Sequence, residues 1–102
     1  MKRTSTEATF SFTRRAEQDL EQIIDYTASM WGFAQAATYL AGFEDLALLL
    51  ARNPEVGTSR HNLANGLLSF PYERHILFYR KRASGIVIIR ILHQHMDPDM
   101  HL

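Results

Sequence analysis

The residues best suited to chemistry in this chain are imidazoles and guanidinium groups gathered towards its C-terminal end. Five histidines are present. His93 and His95 close the run from Gly85 to Asp97, GIVIIRILHQHMD, and His75 precedes them. On an extended chain residues two apart share a face, so His93 and His95 can point the same way. Two chemistries use such a set. A zinc site would add a third or fourth ligand from Asp97 or His101. The chain has no cysteine and no diagnostic ligand spacing, so no metal or other cofactor is expected. Phosphodiester cleavage without a metal would use His93 or His95 as general acid or base, with Arg74, Arg80, Arg90 and Tyr79 near the phosphate. No residue pair has a spacing specific to that reaction. A P-loop, a dinucleotide glycine fingerprint and a G-x-S-x-G elbow are all missing from the sequence.

The elements that position these residues are legible in the patterning. Phe10 to Thr13 alternates and predicts a short first strand. Thr13 is the expected N-cap of a helix starting at Arg14. Ala16, Leu20, Ile23, Ile24, Thr27 and Trp31 fall on its apolar face, with Trp31 expected as a core plug, and Gly32 stops it. A second helix runs from Phe33 to about Asn53, with Ala36, Leu40, Phe43, Ala47 and Leu50 as its stripe, and Asn53-Pro54 ends it. Residues 54–65 read as loop. Three strands follow at Leu67–Phe70, His75–Arg82 and Ile86–His93. The order β-α-α-β-β-β predicts an α+β fold, with a helical hairpin on one face of a small, mainly antiparallel sheet.

A chain of 102 residues supports one domain with a modest core. It is read as residues 9–102, preceded by a flexible leader over residues 1–8. No apolar stretch reaches the length of a membrane span, and the lack of cysteine suits a reducing cytoplasm. The net charge of +0 conceals an asymmetry. Residues 14–53 carry three arginines against six carboxylates, and residues 54–92 six cations against two. The basic half should attract an acidic partner.

The last strand is apolar on both faces, which one layer of helices cannot explain. Pairing Arg82 with Ile86 sets Phe78 opposite Arg90 and His75 opposite His93. Leu77, Tyr79, Val87, Ile89 and Ile91 then share the face expected to meet the helices. Ile76, Phe78, Arg80, Ile88, Arg90 and Leu92 share the other. That second face lacks an evident cover within the chain, so it is expected to bind a partner segment.

The ordered blocks Asp19-Leu20..Ile23..Tyr26, Trp31-Gly32..Gln35-Ala36, Asn53-Pro54..Gly57, Ser69-Phe70-Pro71, His75 to Arg80 and Ile88 to His93 followed by Met96-Asp97 resemble the ParE-type toxins of the ParE/RelE superfamily over nearly the whole chain. The resemblance implies the toxin of a type II toxin–antitoxin module. It would be a non-enzymatic inhibitor of DNA gyrase, neutralised by a ParD-type antitoxin that wraps it as helix and extended chain and so covers the second face. Ile76, Phe78, Arg80, Ile88, Arg90 and Leu92 would then meet the antitoxin, and His93, His95 and Asp97 the target. Leu68, Gln94 and His95 depart from the family pattern, where Arg, Gly and Arg are common. Two alternatives remain: a messenger-RNA endoribonuclease of the RelE kind using His93, His95, Arg90 and Arg74, and a toxin that binds its antitoxin but poisons nothing.

Overall fold

The computed structural model describes residues 8–102, so most of the expected leader lies outside the described residues. Strand β1 (Thr9–Phe12) leads into helix α1 (Arg14–Trp31), helix α2 (Phe33–Arg52), strands β2 (Thr58–Ser59), β3 (Leu68–Tyr72), β4 (His75–Arg82) and β5 (Gly85–His93), and a short helix α3 (Pro98–His101). The five strands form one sheet in the order β1-β5-β4-β3-β2. Only β1 runs parallel to its neighbour, β5, and the other pairings are antiparallel. The α+β architecture is the one the sequence predicts, with two small additions, β2 and α3.

Local chemistry explains the helix limits. The Thr13 hydroxyl accepts from the Ala16 amide at 3.1 Å and donates to the Ile89 carbonyl at 2.8 Å, so one side chain caps α1 and ties it to β5. Gly32 sits at φ 94°, which a β-carbon would disfavour, and this breaks α1 from α2. The Asn53 amide reaches the Leu49 carbonyl, and Pro54 then opens a single 3-10 turn. Gly57 is required for contact rather than conformation. A β-carbon there would come within 2.0 Å of the Tyr79 hydroxyl, which donates to the Pro54 carbonyl at 2.8 Å.

The main core lies between the helices and the sheet. Ala16, Phe43, Ala47, Leu50, Leu77, Tyr79, Ile86, Ile88 and Ile91 are buried together there. Tyr39, placed off the stripe by periodicity, is buried, and Leu40 is only half-buried. Trp31 is 70% exposed and plugs nothing.

The β4–β5 register corrects the assignment of faces. His75↔His93, Ile76↔Leu92 and Phe78↔Arg90 pair as expected, but the next pair is Tyr79↔Ile88. Ile89 is thus unpaired, a β-bulge that slips the alternation of β5 by one residue. Arg82 consequently faces Gly85 instead of Ile86. Ile88 therefore packs in the helix-facing core, while Ile89 packs on the opposite side with Phe78 and Leu92.

That opposite side is not open. The segment between β2 and β3 folds over it, closed by a 2.7 Å bond from the Arg60 amide to the Leu67 carbonyl. Leu67, Leu63 and Ala64 cover Phe78, Leu92, Ile76 and Ile89. The Arg60 guanidinium lies 5.9 Å from the centre of the Phe78 ring and donates to the Ser69 hydroxyl at 2.9 Å. The polar composition of this segment conceals its covering role in the sequence.

Candidate functional site

Register brings the chemistry-bearing residues to one end of the sheet. β4 begins at His75 and β5 ends at His93, so the two imidazoles sit across from each other. Their ring centres are 5.4 Å apart, and the His95 ring follows at 5.0 Å from His93. α2 contributes Tyr39, whose hydroxyl lies 3.2 Å from Nδ1 of His75. Tyr39 is itself held by Tyr72, whose hydroxyl donates to the Tyr39 carbonyl at 2.9 Å. The Glu73 backbone, at φ 54°, turns β3 into β4. The Gln94 amide donates to the Arg74 carbonyl at 2.8 Å, which brings the Arg74 backbone beside the row.

The protonation states follow from this packing. Burial, followed by the charges of Tyr72 and Glu73, pushes the Tyr39 hydroxyl well above the usual tyrosine range. Tyr39 therefore stays protonated, and its hydroxyl shares a hydrogen bond with Nδ1 of His75 in which the tautomer of the ring sets the donor. Burial first, and the neighbouring His93 second, push the His75 pKa down, which also favours a neutral ring. Nδ1 of His93 accepts from the His95 amide at 3.2 Å. A backbone amide can only donate, so Nδ1 of His93 accepts and Nε2 is the ring nitrogen left to donate. Imidazoles in such a row can exchange protons or donate to a bound group. Among the described residues, no cluster of three or more His, Asp or Glu side chains is arranged to hold a metal ion.

The other expected contact residues divide sharply. Arg80, His95 and Asp97 are exposed, and Ile76 and His93 half-buried. The Asp97 carboxylate caps α3 by accepting from the Asp99 amide at 3.0 Å. Phe78, Ile88 and Leu92 are at most 2% exposed, so a partner cannot reach them in this conformation. Arg90 is committed internally. Its Nε and Nη2 donate to the Asp19 carboxylate at 2.7 and 3.0 Å, and its Nη1 donates to the His101 carbonyl. Asp19 also accepts from the Ile91 amide at 2.9 Å. The bond from Asp19 holds the Arg90 guanidinium above even its ordinary pKa. Arg90 is thereby a tie between α1, β5 and α3. Periodicity gave no sign of this partnership, because the pair is separated by 71 residues.

Sequence reasoning also missed a set of exposed apolar side chains. Tyr26, Met30, Trp31 and Phe33 are 55–85% exposed around the turn between α1 and α2, and Met100 is 78% exposed on α3. The only advance signal was the break in the apolar stripe at Gly32.

Comparison with known proteins places this architecture. The model of a family described as "ParE toxin of type II toxin-antitoxin system, parDE" matches residues 10–98. The chain belongs to the ParE toxin family. It is 34% identical over 93 residues to "Toxin ParE1" of Caulobacter vibrioides, covering 91% of this chain and 96% of that protein. It is 35% identical over 88 residues to "Toxin ParE1" of Mycobacterium tuberculosis, covering 85% and 90%. A solved chain described as "Chromosomal ParDE TA system from P. aeruginosa" superposes with a TM-score of 0.71 at 22% identity, over 87% of this chain and 98% of that one. This last likeness concerns the fold alone. As in the family, the ParE-type chain is the toxin of a type II toxin–antitoxin system.

Proposed function

We propose that this ParE-family chain inhibits DNA gyrase without catalysing a reaction, that a ParD-type antitoxin neutralises it by direct binding, and that both events occur in the cytoplasm. Membership of the family over residues 10–98 is the observation that carries this reading. The surface is consistent with it. Ile76, His93, His95 and the α3 cap at Asp97 lie at or near the surface at the histidine end of the sheet, Arg80 is exposed towards the other end of β4, opposite Val87, and Met96 and Met100 beside the histidines are exposed. Flexible methionines suit a surface that binds other proteins. Phe78, Ile88, Arg90 and Leu92, buried or tied within the chain, support such a surface from beneath rather than touching a partner.

The row His75–His93–His95, with the Arg74 backbone beside it, favours messenger-RNA cleavage as the second reading. One pair of assays separates the two. The purified chain is added to a gyrase supercoiling reaction, with recovery of cleaved DNA, and to a translation reaction, with mapping of cut messenger. The proposal expects trapped, cleaved DNA and intact messenger. Messenger cleavage that disappears in His93→Ala, with gyrase unaffected, would overturn it. Growth arrest on expression without antitoxin is expected as well. Normal growth of cells containing folded protein would instead indicate a toxin that keeps only its antitoxin contacts.

A further inference from the structure

The helical side of the molecule carries a second surface, remote in character from the sheet end. An open groove of about 690 Å³ runs where α1 leaves β1 and passes α2. Its floor is apolar, made by Phe12, Leu20, Ile24 and Leu40, each only half-buried. Its rim is acidic. Glu17, Glu21 and Asp25 line it at intervals of four residues along α1, so one carboxylate stands at each turn. At about 1.5 Å per residue the three span roughly 12 Å. None of them forms an ion pair among the described residues. Arg14 is the single cation in the lining.

We propose that this groove seats a basic amphipathic helix of a protein partner. Lys or Arg side chains one turn apart would meet Glu17, Glu21 and Asp25, and apolar side chains between them would cover Leu20, Ile24 and Leu40. The charge selects the occupant. A nucleic acid or an acidic segment would set like charge against three carboxylates, whereas a basic helix supplies the complementary sign in the same repeat. A helix fits because a helical hairpin offers a third helix a groove between its ridges. The inference is independent of gyrase and of the sheet end.

The test uses the full chain and a labelled helical peptide of leucines and lysines, with lysines at four-residue spacing. A twin with glutamate in place of lysine serves as comparison. Binding is read by fluorescence anisotropy, and the site by amide chemical-shift changes. The lysine peptide should bind, with shifts concentrated on residues 17–25 and at Leu40, and the glutamate twin should not. The variant E17Q/E21Q/D25N should weaken binding by about five- to tenfold, as three partly exposed ion pairs would. A control variant, E44Q/D45N, removes charge elsewhere on α2 and should leave affinity unchanged. Equal binding of the two peptides, equal loss in both variants, or shifts centred away from α1 would overturn the proposal. So would a self-associated chain in which a second copy already covers residues 17–25.

Discussion

Replacing Arg90 should strongly destabilise this domain whatever it does to an interaction, because the guanidinium is the junction of three elements. Its side chain is 10% exposed and that of Asp19 is 13% exposed. Two charge-assisted bonds join them, and a third contact runs to the His101 carbonyl. In Arg90→Met the Asp19 carboxylate keeps only the Ile91 amide as donor. Leaving one member of a buried pair alone costs about 3–5 kcal/mol. The retained amide bond and residual hydration put this case near the lower figure. A loss of about 3 kcal/mol lowers the melting temperature of a domain this size by roughly 12–24 °C, a large share of a typical stability of about 5–15 kcal/mol. Circular dichroism during heating and urea titration measures this directly. Asp19→Asn is the useful partner, since its amide oxygen can still accept from the Ile91 amide. The double variant should be less destabilised than the sum of the singles, with a coupling of about 1–3 kcal/mol. A shift within about 0.5 kcal/mol for Arg90→Met, the usual range for a surface change, would refute the reasoning. Strictly additive singles would refute it too. Lost antitoxin binding at unchanged stability would return Arg90 to the role of a direct contact.

Three further outcomes follow from the same structure. Leu67→Ala should cost about 2–4 kcal/mol and raise binding of a hydrophobic dye, because Leu67 closes the cover over Phe78 and Leu92; unchanged stability would mean the segment does not seal that face. Trp31→Ser should leave the melting temperature nearly unchanged, and the wild-type emission should be that of a wetted indole, since Trp31 is the single tryptophan and is 70% exposed; a blue-shifted emission would contradict this. Stability should fall on acidification through the histidine range. The folded state lowers the pKa of His75, so the unfolded chain binds its proton first, and the contribution of neutral His75 is complete above about pH 6.5 and lost as pH drops towards the depressed folded value. His75→Gln should flatten that segment of the curve, and an unchanged slope in the variant would show that another group is responsible.

How far the residues alone reached is decided by the range of the interactions. The two helices were legible because their limits rest on neighbours: the Thr13 cap, the Gly32 break and Asn53-Pro54 act within a few residues of themselves. The pairing of His75 with His93 came out as expected only because two shifts cancel: the turn pairs Arg82 with Gly85 and not with Ile86, and the unpaired Ile89 restores the expected register beyond it. Both the parity of β5 and the cover on its second face escaped. A single unpaired residue, Ile89, carries no signature among isoleucines on either side, yet it moves Ile88 into the helix-facing core. The cover comes from Leu63, Ala64 and Leu67, scattered among polar residues in a segment with no periodicity. Asp19 is one of the six carboxylates of residues 14–53, and nothing in its neighbours marks it as the partner of Arg90, 71 residues away.

These misses bear on function in one direction. Double-sided hydrophobicity in β5 invited the idea of a missing partner, but the bulge and the folded-over segment satisfy it from within. Internal packing explains the burial of Phe78, Ile88, Arg90 and Leu92, so their burial is no evidence of docking. What the chain leaves open lies elsewhere: the histidine end of the sheet with exposed Met96 and Met100, the apolar turn around Trp31, and the acid-rimmed groove on α1. Partner variants should therefore be sought at Arg80, His95, Met100 and the α1 carboxylates. A substitution at Phe78 or Leu92 that abolishes binding must first be shown to leave the domain folded.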